Sequence, residues 1–226
     1  MIPKIRMFFF YILLMVIFTI SIFFMAVFKN SDSKIRTIRK AIVNILVNIF
    51  PFRAEVKGSF DNSAKILVIN HQSDLDIIFL EYILDANPCW VAKKELGDIP
   101  FFGLALKLPK MILIDRKNKK EIIRMIRTTK ERIKEGRVIC IFPEGTRGDG
   151  KKLLPFKEGV KAIISTANAK IQPVIIKGSR EVFDPKNFKI NKKKFSVEFL
   201  EAYRPDFKSE SWYDELENMM RKRFER

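Results

Sequence analysis

Between Met7 and Phe28 the chain runs for 22 residues without a charged side chain, softened only by Tyr11, Thr19 and Ser21. As a helix this stretch is about 33 Å long, enough to cross the hydrocarbon of a bilayer. A cleaved signal peptide is the competing reading. Its apolar region usually has ~7 to 15 residues and ends in a small-x-small site, which does not follow here. The run is therefore expected to remain as a membrane anchor. Lys29, Lys34, Arg36, Arg39 and Lys40 follow it, against Lys4 and Arg6 before it. That asymmetry predicts that everything downstream lies on the cytoplasmic face of an inner membrane or its equivalent.

A second membrane element is expected directly after it. Ile35, Ile38, Ile42, Ile45 and Ile49 recur every three or four residues, while Lys34, Arg36, Arg39, Lys40 and Asn44 take other faces, and Pro51 ends the pattern. This is a basic amphipathic helix. It either packs on the soluble domain or lies in the headgroup layer, drawn there by anionic lipid. The formal net charge of +17 fits the second use. Charge alone implies only an anionic partner, and nucleic acid, a membrane surface and phosphorylated substrates all qualify. The apolar run selects the membrane and argues against nucleic acid. Cys89 and Cys140 are the two cysteines, too far apart to suggest a disulfide framework or a zinc site, and both are expected to be reduced and buried.

From about Arg53 the chain alternates strand-like and helix-like segments without linker or repeat, which predicts one α/β domain over residues 51–226 behind membrane-associating helices in 1–50. Strands are expected at 54–58, 65–70, 89–92, 110–114, 137–142, 171–176 and 195–200. Helices are expected at 117–135, near 158–168, and at the end, where Trp212, Leu216, Met220 and Phe224 share one side.

The chain's one histidine, His71, stands just after the apolar run 66–69, with Asp76 five positions on. Such a strand-to-helix loop is a usual place for chemistry. Ser73 reads as the helix N-cap, with Asp76 completing a capping-box-like pair. Equally, Asp76 can reach back to one imidazole nitrogen, fix the tautomer and leave the other as a base. Ser73 as a nucleophile is disfavoured by its place at the cap. A second loop, Phe142-Pro143-Glu144-Gly145-Thr146-Arg147-Gly148, follows the strand 138–141. Gly145 permits close backbone approach, Arg147 offers a fork to phosphate, and Glu144 can accept from a substrate hydroxyl or hold Arg147. A third strand end, Ile114-Asp115-Arg116, adds another guanidinium.

In this order the motifs resemble the 1-acylglycerol-3-phosphate acyltransferase (lysophosphatidate acyltransferase, PlsC-like) family of the glycerolipid acyltransferases. The resemblance runs from about Lys65 to Gly178. It rests on His71 and Asp76 as an H-x4-D block, on 114–116, on 142–147 and on Gln172-Pro173-Val174-Ile175. Segments 92–96, 99–103 and 154–159 look like the family's connecting stretches. Gln172, where an aliphatic residue is commoner, and the polar Gly97-Asp98 are departures.

The resemblance implies a mixed-sheet acyltransferase domain behind a hydrophobic two-helix motif. It also implies that His71, oriented by Asp76, deprotonates the sn-2 hydroxyl of lysophosphatidic acid for direct attack on acyl-CoA or an acyl-carrier protein thioester, giving phosphatidic acid without a resident cofactor or metal. Lys93 is then expected to help hold the oxyanion, and Asn70, Arg116, Glu144, Gly145, Thr146 and Arg147 to form the acceptor site. Two rivals stand beside this reading: an acyltransferase for another lysolipid or for glycerol 3-phosphate, and a basic membrane-bound binding protein without catalysis. The second leaves the histidine unexplained.

Overall fold

The computed structural model describes residues 2–50, 52–115 and 119–226, with backbone alone over 119–122. Two helices lead, α1 (Ile2–Val27) and α2 (Asp32–Ile49), followed by β1 (Arg53–Lys57), β2 (Ile66–Ile69), α3 (Leu75–Ile83) and β3 (Pro88–Lys93). Short α4 (Lys94–Gly97) and α5 (Leu104–Lys107) lead to β4 (Ile112–Ile114), α6 (Lys119–Lys134), β5 (Val138–Ile141), α7 (Glu158–Ala167) and β6 (Ile171–Lys177). A small insert of α8 (Ser179–Val182), β7 (Phe183–Asp184) and β8 (Lys189–Ile190) precedes β9 (Lys194–Phe199) and the closing α9 (Trp212–Glu225). All seven strands expected from the sequence are present.

They form one sheet in the order β1-β9-β6-β2-β5-β3-β4. The five strands from β6 to β4 are mutually parallel, while β9 runs antiparallel to β6 and carries β1 parallel to itself. Parallel strands covered on both faces read as unbroken apolar runs, which is why Ile66-Leu67-Val68-Ile69 and Val138-Ile139-Cys140-Ile141 are buried throughout. Odd and even positions feed different cores. Leu67, Ile69, Trp90 and Cys140 face one core with α1, α2 and α3; Ile66, Val68, Cys89 and Ile139 face the other with α6, α7 and α9. Both cysteines are free and buried, and burial pushes their thiols up. Gln172, the departure from the family pattern, is buried and fully employed: its amide donates to the carbonyls of Ser59 and Leu200 and accepts from Asp61 N–H.

The N-terminal helices belong to this body. Met7 and Phe10 of α1 are wholly buried, and the Phe10 ring meets Phe50, Phe52 and Phe183 edge-on. Further along α1, Phe18 stacks on Phe102, and Ile22 and Met25 join Ile35 and Leu108. The other side of α1 is an exposed apolar stripe through Phe9, Met15, Ile20 and Phe23.

In α2 three of the basic residues, Arg36, Arg39 and Lys40, turn inward, while Lys34 stays exposed over the Phe28 ring. Arg36 and Arg39 both pair with Glu81 of α3, and Arg36 and Lys40 donate to the Leu84 carbonyl at the end of that helix. Of the two expectations for this helix, packing against the domain is the one the arginines follow, because a buried carboxylate and unsatisfied helix-end carbonyls are stronger partners than a screened lipid surface.

Candidate active site

Parallel strands present all their carboxyl ends at one edge of a sheet, where α/β proteins hold ligands. At that edge β2 delivers Asn70 and His71, its neighbour β5 delivers Phe142 to Gly148, β3 ends at Lys93, and β4 ends at Ile114-Asp115. The H-x4-D block and the Glu-Gly loop, 73 residues apart in sequence, are thereby adjacent.

His71 Nδ1 lies 2.9 Å from Asp76 Oδ2. The same oxygen accepts the backbone N–H groups of Gln72 at 2.7 Å and Ser73 at 2.9 Å. A carboxylate oxygen that already takes two backbone N–H groups acts as an acceptor, so the arrangement suits an Nδ1–H tautomer that leaves Nε2 as the acceptor. The imidazole is part-buried, 13% exposed, while Asp76 is fully enclosed. One face of the ring lies on Phe142, with centroids 3.8 Å apart and planes within 14°. The ring is thus held at one edge by Asp76 and on one face by Phe142.

The expected capping-box-like pair is present: Ser73 Oγ accepts Leu75 N–H at 3.4 Å, and Asp76 Oδ2 accepts Ser73 N–H at 2.9 Å. Helix α3 begins at Leu75 with Asp74 before it, and Ser73 Oγ donates to the Phe183 carbonyl at 2.7 Å. That bond directs the hydroxyl proton into the α8-β7 insert while the oxygen still accepts Leu75 N–H, so Ser73 and Asp76 hold the helix start together.

Glu144 differs from expectation. It is wholly buried, with Oε1 taking His71 N–H at 2.7 Å and Oε2 taking Leu154 N–H at 2.8 Å. Burial raises its carboxyl pKa above the ordinary value in spite of these two bonds. Both oxygens being occupied by backbone, Glu144 ties three chain segments together; it neither faces a substrate hydroxyl nor holds Arg147. The loop is closed by Gly148 N–H donating to the His71 carbonyl at 2.8 Å, and Gly145 turns it at φ +69, a conformation that side chains resist. Asn70 is likewise structural here: its side chain exchanges two hydrogen bonds with the Ile176 backbone and stitches β2 to β6.

Thr146 and Arg147 stand exposed at the loop tip, and Arg147 Nη1 donates to Asp74 Oδ2 at 2.6 Å. Lys93 is exposed at the end of β3. Strand alternation puts it on the side of Cys89, opposite Trp90 and the ring stack. Arg116 lies outside the described residues. The sequence reading missed Asp74 as the partner of Arg147, and Arg180, whose Nη1 donates to the Gly148 carbonyl at 3.0 Å. Asp74 sits inside the H-x4-D block and was within reach of the motif argument; nothing in the local pattern marks Arg180.

A positioned base beside an exposed guanidinium, next to an apolar helix, suits deprotonation of a hydroxyl on an anionic lipid. Comparison with known proteins points the same way. The family model described as Acyltransferase matches residues 52–177. A 1-acyl-sn-glycerol-3-phosphate acyltransferase of Helicobacter pylori (strain J99) is 44% identical over 198 residues, 87% of this chain and 83% of that protein. The protein of the same name from Escherichia coli is 34% identical over 135 residues, 58% of this chain and 55% of its own length. The crystal structure of PlsC, the 1-acyl-sn-glycerophosphate (LPA) acyltransferase of Thermotoga maritima, aligns with a TM-score of 0.74 over 97% of this chain and 96% of that one. At 21% identity it speaks for the fold.

Proposed function

The chain belongs to the acyltransferase family, and on that premise we propose that it acylates the sn-2 hydroxyl of 1-acylglycerol 3-phosphate from an acyl thioester, forming phosphatidic acid. The observation that carries the chemistry is the Asp76–His71 pair at 2.9 Å, with Nε2 left as the base. Nε2 takes the hydroxyl proton as the oxygen attacks the thioester carbonyl. The tetrahedral intermediate then collapses, the carbon–sulfur bond breaks, and the imidazolium proton goes to the departing thiolate. No acyl-enzyme forms. A base of this kind is worth about 10²- to 10⁴-fold, and positioning supplies much of the remainder.

Arg147 receives the acceptor's phosphate, with Arg116 as a second cation. Glu144 and Gly145 shape the loop that carries Arg147, Asn70 braces the end of β2 beside it, and Thr146 lies at the acceptor's side of the tip. Lys93 belongs to the basic rim for the donor, either coenzyme A phosphates or an acidic carrier protein, rather than to the oxyanion site.

The apolar stripe of α1 supports membrane association. We place α1 within one leaflet, since its contacts with the rest of the protein run from Met7 to Met25, about 27 Å of helix. A spanning helix would leave its domain within a turn or two. The division at residue 50 is one of role: 1–50 seats the protein and 51–226 does the chemistry.

The test is a matched panel of acceptors in vesicles: 1-acylglycerol 3-phosphate, glycerol 3-phosphate and a lyso-aminolipid, with acyl-CoA and acyl-carrier protein as donors. Phosphatidic acid as the fastest product supports the assignment. Faster turnover of another acceptor, or a trapped acyl adduct on Ser73, overturns it.

A further inference from the structure

The buried ion cluster between α2 and α3 has no place in the reaction as described, yet it is expensive to keep. Glu81 is held at 7% side-chain exposure by Arg36 at 2.5 Å and by Arg39, themselves 13% and 9% exposed. Apolar residues of similar volume often serve stability as well as such a cluster, so its position needs a reason. The Glu81 Oε1 atom that Arg39 engages also accepts the indole N–H of Trp90 at 2.7 Å. Trp90 lies on β3, whose neighbour β5 leads into Phe142, and the indole stacks on that ring with centroids 5.5 Å apart and planes within 17°. Phe142 in turn lies under His71, 3.8 Å away and within 14°. Since β5 runs between β2 and β3, the three near-parallel rings come from three adjacent strands with Phe142 in the middle.

We propose that Glu81 and Trp90 are positioning residues for the catalytic imidazole, and that α2 sets the plane of His71 through Arg39, Glu81, Trp90 and Phe142. The proposal rests on His71 being the base. Asp76 fixes one ring nitrogen at a point, which leaves the ring free to swing about that bond. A flat surface beneath it removes the swing, and the surface is held only as firmly as the indole that backs it. The indole has one polar handle, its N–H, and it donates to the carboxylate clamped by the two arginines of α2. The helix that seats the protein is in this way mechanically joined to the atom that takes the proton.

The test uses the full chain in vesicles, with Trp90→Met filling the space without a ring and Trp90→Phe retaining one. Misplacing a reacting group by about 1 Å costs on the order of 10²-fold, so Trp90→Met is expected to lower kcat about 10- to 100-fold. KM for acceptor and donor stays within about twofold, the pattern of an interaction felt in the transition state alone. Trp90→Phe keeps a stacking ring but loses the N–H that Glu81 accepts, so it recovers part of the loss and no more. Phe142→Leu breaks the same stack one ring nearer to His71 and carries the comparison if Trp90→Met does not fold. Unchanged kcat in Trp90→Met, a loss confined to KM, equal losses in Trp90→Met and Trp90→Phe, or wild-type kcat in Trp90→Phe each overturn the proposal. Full activity in His71→Ala would instead remove the base itself, a separate failure.

Discussion

Asp76 Oδ2 serves His71 Nδ1 and two backbone amides with one atom, at 2.9, 2.7 and 2.9 Å. The helix start and the orientation of the imidazole are consequently a single arrangement. Asp76→Asn keeps the shape but weakens the preference for the Nδ1–H tautomer; kcat should fall about 10²- to 10⁴-fold. Asp76→Ala leaves buried amides unpaired as well, adding about 1–3 kcal/mol of instability in denaturant titration. A variant Asp76→Asn with near-normal kcat would separate the carboxylate from the chemistry.

Glu144 gives a pH signature. Its pKa is raised in the folded protein, so above the ordinary carboxylate pKa the folded state binds more proton than the unfolded one. Its contribution to stability therefore improves as pH falls from neutral through the raised folded value toward 4.5, its ordinary value. Glu144→Gln lacks this component. The difference in melting temperature, wild type minus variant, should grow over that window, and thermal unfolding at a series of pH values reads it; a flat difference contradicts the assignment. The variant should also lose activity, because one of its two oxygens becomes a donor facing a backbone N–H.

The two outcomes for Arg147 are opposite in sign. Its bond to Asp74 joins side chains that are 47% and 46% exposed, and such pairs are worth about 0–1 kcal/mol. A phosphate is the better partner, with two charged bonds in place of one. Arg147→Ala should raise KM for 1-acylglycerol 3-phosphate about 10- to 100-fold. Asp74→Asn, which frees the guanidinium, should leave KM unchanged or lower it. A higher KM in Asp74→Asn would place the aspartate, rather than the arginine, at the acceptor.

Much of this was legible in the sequence, for identifiable reasons. Buried parallel strands have to be apolar runs, so their positions were readable, and the loops after them carried His71, Asp76 and Arg147 in plain view. The direction of β9 was not readable, because period-two alternation is the same in either sense of the strand. Nor was the α8-β7-β8 insert, whose strands are two residues each and are held by Phe183 and Ile190 in a shared core. Burial reassigned the polar residues. Glu144 and Asn70 looked like substrate contacts because they are polar and beside the base; they are enclosed, and enclosed polar groups go to the backbone. For α2 the choice between packing on the domain and lying in the headgroup layer stayed open, because the partner of Arg36 and Arg39, Glu81, lies more than 40 residues away.

The reach of α1 into the core yields a stability prediction. Phe10 is fully buried against three rings, so Phe10→Ala should cost about 3–5 kcal/mol. Phe9→Ala, on the exposed stripe, should leave unfolding nearly unchanged in detergent while weakening retention on vesicles. Denaturant titration and vesicle flotation measure the two. Equal and small effects on unfolding would mean that α1 is a free anchor.

The claim on which the account stands is that His71 Nε2 takes the proton. Its most direct measurement compares wild type with His71→Ala, a labelled acyl thioester and 1-acylglycerol 3-phosphate being incubated with each protein in vesicles while phosphatidic acid is followed over time. The account predicts a loss of about 10²- to 10⁴-fold in kcat with the protein still folded. A His71→Ala protein that forms phosphatidic acid at the wild-type rate would contradict it.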